Sequence, residues 1–225
     1  MTRVLLVEDE VALARALAIT LRARGYEVAL AGDGRSALDA VSSSRPDLVV
    51  LDLGLPDLDG MSVLTALRGW TDVPVVVLSA RAGSDDMIDA LDAGADDYVT
   101  KPFDMGEMLA RLRSAVRRPR AVPEGEAVVQ TDDFTADLSL RTLTRDGRPV
   151  RLTPTEWHLL EILLRAGGRV VSRRALLDEL RGPGVPSESH YLRVYAAQLR
   201  RKLEPDPALP RYLITEPGVG YRLRR

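Results

Sequence analysis

In the first half of the chain, hydrophobic positions gather in short runs separated by longer segments with helical spacing. Runs at 4–7, 28–31, 48–51, 75–78 and 98–100 predict strands, and stretches such as 13–24 and 61–68 predict the helices between them. This alternation predicts an α/β, doubly wound, parallel five-stranded sheet over residues 1–118. From Val128 onward the pattern becomes strand-like alternation, with Asp146-Gly147 as a hairpin turn inside 143–152. Thr153-Pro154-Thr155-Glu156 then opens a helix: Thr153 is the cap, Pro154 suits the first turn and Glu156 completes a capping box. Its apolar stripe is Trp157, Leu160 and Leu164.

A second helix is predicted over 173–180, ending at Gly182-Pro183-Gly184, and a third over about 187–204. On the third, Leu192, Ala196, Leu199 and Leu203 recur at helical spacing as a buried face. That setting turns His190, Val194, Ala197 and Arg201 outward, flanked by Arg193, Gln198 and Arg200. A terminal hairpin follows, 212–215 and 220–224, tipped by Pro217-Gly218 and accompanied by Arg222, Arg224 and Arg225.

Composition narrows the function classes. The chain has no cysteine, which excludes disulfides, thiolate metal sites and cysteine nucleophiles, and its two histidines, His158 and His190, argue against a histidine metal site. No apolar run is long enough to span a bilayer, and the first residues enter a strand-like segment, so a cytoplasmic protein without membrane attachment is expected. The net charge of −2 hides an asymmetry about the proline-containing stretch 119–123. Residues 1–118 carry 13 Lys/Arg against 19 Asp/Glu, a balance of −6, and residues 119–225 carry 18 against 14, a balance of +4. Only the second half is therefore suited to a polyanion. Lys101 and Lys202 are the only lysines in a chain otherwise rich in arginine, which marks positions where a compact ammonium serves better than a planar guanidinium.

In open parallel sheets, ligands bind beyond the carboxyl ends of the strands. There the sequence places Glu8, Asp9 and Glu10 after the first run, Asp52 after the third, Ser79 after the fourth and Lys101-Pro102 after the fifth. Crowded carboxylates repel one another unless a hard divalent cation shares the site, and Mg²⁺ is its natural occupant. Asp52 then serves as nucleophile toward a phosphoryl donor. Mg²⁺ and Lys101 stabilise charge on the phosphoryl oxygens, and the Ser79 hydroxyl hydrogen-bonds one of them. A phosphatase that works through an aspartyl-phosphate needs a second carboxylate two residues on. The segment here is Asp52-Leu53-Gly54, so no enzyme of that kind is expected.

Glu8-Asp9, Asp52, Ser79-Ala80 and Lys101-Pro102-Phe103, in that order, resemble the receiver domain of bacterial two-component response regulators over about the first 118 residues. The resemblance implies phosphoryl transfer from a histidine kinase to Asp52. It adds the Gly54 carbonyl to Glu8, Asp9 and Asp52 around Mg²⁺, and makes Lys101-Pro102 a cis peptide. It also implies a switch formed by Ser79 and Tyr98, although Tyr98 reads equally as a packing residue.

Residues 126–225, joined through a linker at 119–125, resemble the winged helix-turn-helix DNA-binding domain of the OmpR/PhoB family. The resemblance and the basic outer face together assign promoter-DNA contacts to His190, Arg193, Val194, Ala197, Arg200, Arg201 and Arg222. The segments 67–71, 190–195 and 215–222 are closest to the family branch that regulates potassium-transport (kdp) operons. That likeness implies a KdpD-like sensor kinase and contact with RNA polymerase through the 181–187 loop. The family pairs its receivers as homodimers, and the matching charged positions are Asp96, Asp97, Glu107, Arg111 and Arg118. Three departures stand out: Met87 where a basic partner of Glu107 is usual, Arg181 where tryptophan is usual, and Pro217 at a wing-tip place that family members often fill with arginine. Two readings remain at this stage, an activator gated by phosphorylation and a DNA-binding regulator whose receiver answers to protein contacts alone.

Overall fold

The structure is a computed structural model, and it describes residues 1–116, 128–181 and 189–224. The chain divides into two compact units, Met1–Val116 and Arg117–Arg225. The expected linker, Arg118 and the Gly182-Pro183-Gly184 turn lie outside the described residues.

The first unit runs β1 (Arg3–Val7), α1 (Val11–Ala23), β2 (Glu27–Ala31), α2 (Gly34–Ser44), β3 (Leu48–Asp52), α3 (Gly60–Arg68), β4 (Val75–Ser79), α4 (Ser84–Asp92), β5 (Asp97–Thr100) and α5 (Met105–Ala115). All five strands pair in parallel in the order β2-β1-β3-β4-β5. Helices on both faces explain the unbroken apolar runs, since every residue of β3 and β4 is buried. On α1 the residues Ala14, Leu17, Ala18 and Leu21 fall on one stripe and are buried. The strand order reverses between β1 and β3, which leaves a crevice at their carboxyl ends. Asp52 and Ser79 are the final residues of their strands, in register with Leu78 and Thr100. The ladder thus extends one residue past each apolar run, because backbone pairing does not depend on the side chain.

The second unit opens with an antiparallel sheet, β6 (Val128–Gln130), β7 (Phe134–Asp137), β8 (Thr142–Arg145) and β9 (Arg148–Pro149), in that order. Asp146 and Gly147 both have positive φ, 52° and 72°, as a two-residue hairpin turn of type I′ requires. Next come α6 (Pro154–Arg165), β10 (Val171–Ser172), α7 (Arg173–Arg181), α8 (Ser189–Leu203), β11 (Leu213–Glu216) and β12 (Gly220–Leu223). The predicted capping box on α6 forms in full. Trp157, Leu160, Leu164, Leu176, Leu180, Leu192, Ala196, Leu199 and Leu203 are buried as the core of the three helices. The terminal hairpin gains a third strand in the order β10-β12-β11, which two residues of β10 were too few to announce. A Cβ on Gly220 would lie 1.9 Å from the Val171 carbonyl oxygen, so this approach of β12 to β10 admits glycine alone. Among the described residues, no helix is long and apolar enough to cross a membrane.

Candidate functional site

Glu8 follows β1 and Asp52 ends β3, and both are buried, while Asp9 is exposed at the rim. Each offers an oxygen within 4.8 Å of the others. Lys101, just past β5, reaches across the crevice and donates to Glu8 Oε2 and Asp52 Oδ2, both at 2.7 Å. The second Asp52 oxygen accepts the Gly54 N–H at 3.0 Å. Gly60 completes the support, because a Cβ there would sit 2.6 Å from the Asp52 carbonyl oxygen, and its absence lets α3 begin against the Asp52 backbone. The Lys101–Pro102 bond is cis, as the resemblance implied.

Burial, joined by the charge of Asp52, holds the Glu8 carboxyl above its usual range against the pull of Lys101. Burial also acts to lower Lys101, but its hydrogen bonds and charge interactions with Asp52 and Glu8 outweigh it and keep the ammonium above the ordinary lysine value. Lys101 is thus a cation shared by two buried carboxylates. The donor set, three carboxylates without sulfur or imidazole, fits a hard divalent ion such as Mg²⁺.

Ser79 and Tyr98 grip one residue from two sides. The Ser79 hydroxyl accepts the Arg81 N–H at 3.0 Å, and the Tyr98 hydroxyl donates to the Arg81 carbonyl at 2.8 Å. Tyr98 is only 2 % exposed, a fully buried ring whose hydroxyl is pushed up by that burial. Arg81 escaped the sequence reading because its backbone, rather than its side chain, makes the contact.

Of the charged residues expected at a receiver dimer face, Asp96, Asp97, Glu107 and Arg111 lie among the described residues. Asp97, Arg111 and Glu107 form one chain: Arg111 Nη1 donates to Asp97 at 2.7 Å, and its Nε donates to Glu107 at 3.0 Å. Asp96 immediately precedes β5. Its side chain is fully buried, accepting Arg68 Nη2 and the Val75 N–H, both at 2.9 Å. Arg68 is held in turn by the carbonyls of Gly94 and Val73. Met87 is buried in α4. Arg181 is also buried, stacked 3.8 Å over the Tyr191 ring.

On α8, Arg193 and Arg201 are exposed and Ala197 is half-buried. Val194, expected on the outer face, is instead buried at 8 % exposure, and the flanking Gln198 is buried at 7 %. One apolar stripe accounts for one packed neighbour, whereas α8 packs against both α6 and α7 and, through Arg200, against β11. Arg200 turns back to the hairpin, donating to the Leu213 carbonyl and the Thr215 hydroxyl. Arg222 pairs with Glu216 at 2.6 Å. The His190 side chain lies outside the described residues.

The family model described as response regulator receiver domain matches residues 4–113, and the one described as transcriptional regulatory protein, C terminal, matches 147–223. The chain therefore belongs to the OmpR/PhoB-type two-component response regulators, a family of DNA-binding transcription regulators rather than enzymes. Within that family it is KdpE-like. It is 57% identical over 223 residues to the transcriptional regulatory protein KdpE of Mycobacterium tuberculosis strain H37Rv, covering 99% of both chains. It is 49% identical over 222 residues to the KDP operon transcriptional regulatory protein KdpE of Escherichia coli K12, with 99% of both covered. Among solved structures, the OmpR/PhoB homolog DrrB of Thermotoga maritima matches 100% of both chains at 27% identity with a TM-score of 0.54. A receiver joined to such an effector implies a histidine kinase as partner and promoter DNA as target.

Proposed function

We propose that this chain is a phosphorylation-gated transcription regulator. A KdpD-like sensor kinase passes a phosphoryl group to Asp52, the receivers then pair as a homodimer, and the effector domains bind promoter DNA of a potassium-transport operon and engage RNA polymerase. A cytoplasmic location goes with this reading. The observation that carries it is the Lys101 ammonium held 2.7 Å from both Glu8 and Asp52 at the carboxyl edge of the sheet.

Glu8, Asp9 and Asp52, with the Gly54 carbonyl, are the residues that would hold Mg²⁺, which when bound screens the carboxylates and shares the charge of the phosphoryl oxygens. An Asp52 oxygen forms its bond to phosphorus as the bond to the donor's imidazole nitrogen breaks, and the electron pair leaves with that nitrogen. Lys101 is already placed where negative charge arrives, so little reorganisation is needed. Ser79 then donates its hydroxyl to a phosphoryl oxygen. Moving it gives up the Arg81 N–H, which loosens the segment leading into α4 and passes the covalent event to the receiver face.

Intact-mass measurement after incubation with acetyl phosphate and Mg²⁺ tests this reading. One phosphoryl adduct, absent in Asp52→Asn, is expected; an adduct that survives the substitution places the acceptor elsewhere.

A further inference from the structure

The order β10-β12-β11 gives β11 a strand partner on one side only. Its other side faces α8, and side chains take the place of a neighbouring strand. The Leu213 N–H donates to Glu204 Oε1 at 2.7 Å, and the Leu213 carbonyl accepts Arg200 Nη2 at 2.7 Å and Nε at 2.9 Å. Both polar groups of one strand residue are thus held by two side chains four positions apart. The Glu204 N–H continues the helical ladder to the Arg200 carbonyl at 2.8 Å, so both residues project from the same face of the last turn.

The grip extends along the strand. Glu204, 0% exposed, also accepts the N–H groups of Arg211 and Tyr212, while Arg200 Nη2 reaches the Thr215 hydroxyl at 2.7 Å. A buried carboxylate with three backbone donors is costly to disturb, and an arginine whose Nε and Nη2 are engaged by a strand cannot turn that two-nitrogen edge to a phosphate without releasing the strand.

We propose that Arg200 and Glu204 are positioning residues that lock the terminal hairpin to α8, so that helix and hairpin meet DNA as one rigid body. This rests on the DNA-binding role of α8, and it takes Arg200 out of the set of direct DNA contacts. Arg193 and Arg201, exposed on the same helix, remain in that set.

The test uses the full chain with two substitutions. Arg200→Met keeps the aliphatic stem and removes the donors; Thr215→Val removes one acceptor at nearly constant shape and guards against a misfolded first variant. Backbone hydrogen exchange is followed in peptides covering 213–223 and, as an internal control, in α6, alongside affinity for a kdp promoter fragment. Faster exchange confined to the hairpin, with DNA binding about tenfold weaker for Arg200→Met and severalfold weaker for Thr215→Val, is expected. Weaker binding with unchanged hairpin exchange would make Arg200 a direct contact and overturn the proposal. Faster exchange with unchanged binding would overturn it equally, because the hairpin's position would then not matter. If the unsubstituted chain fails to bind DNA, the DNA-binding reading falls, and exchange alone still decides whether the lock exists.

Discussion

The acidic edge of the receiver and the outer face of α8 treat charge in opposite ways. At the edge, two buried carboxylates share one ammonium, and every group comes from a different strand end. On α8, Arg193 and Arg201 are exposed, while Arg200 is turned back to hold a strand. A phosphoryl group is small and needs convergence in a dry site, whereas a polyanion is extended and needs cations that reach outward. Buried charge at the receiver edge and exposed charge on α8 therefore suit two kinds of ligand. The two lysines belong to the first kind of environment. Lys101 sits over Glu8 and Asp52, and Lys202 ends 2.5 Å from the buried Glu156.

The largest expected effect lies at the receiver edge. Lys101→Met leaves the two carboxylates without their cation, and labelling by acetyl phosphate, followed by intact mass against time, is expected to slow about 100-fold. An unchanged rate would place the ammonium outside the chemistry. In the effector unit, Glu204→Ala strips three backbone donors of their acceptor, and urea unfolding of that unit is expected to lose about 3 kcal/mol. A loss of only a few tenths would mean that water replaces the carboxylate.

Smaller changes are expected on the exposed side. Arg193→Ala and Arg201→Ala should each weaken promoter binding about tenfold and lower the salt dependence by about one counterion. Equal affinities across a salt titration would remove that residue from the interface. The smallest effect concerns pH. Burial raises the folded-state Glu8 pKa, so its contribution to stability is fully present below the ordinary glutamate value and is lost as pH rises through the folded one. In metal-free protein Glu8→Gln should flatten that loss, read from urea midpoints between about pH 4 and about pH 7. A profile that keeps its slope would assign the loss to another group.

The receiver site was legible because a parallel sheet delivers strand ends to one edge whatever the loops do. Asp52, Ser79 and Lys101 could be read from the residues that close apolar runs. The Arg68–Asp96 pair was not legible, since a contact between residues 28 apart leaves no periodic signal. The outer face of α8 was only partly legible. Helical spacing found its main buried stripe, but Val194 and Gln198 are covered as well, where further neighbours close over the helix. For Arg200, spacing gives the direction of the side chain but not the Leu213 carbonyl and Thr215 hydroxyl that accept its hydrogen bonds. The Asp146-Gly147 turn was read correctly because its conformation is set by the two residues themselves.

Sedimentation velocity of the full chain with Mg²⁺, before and after acetyl phosphate, tests most directly whether a covalent event at Asp52 changes how two copies pair. A shift from monomer to dimer in the unsubstituted protein, absent in Asp52→Asn, is the predicted result. Monomers that persist after confirmed phosphorylation, or an equal shift in Asp52→Asn, would contradict it.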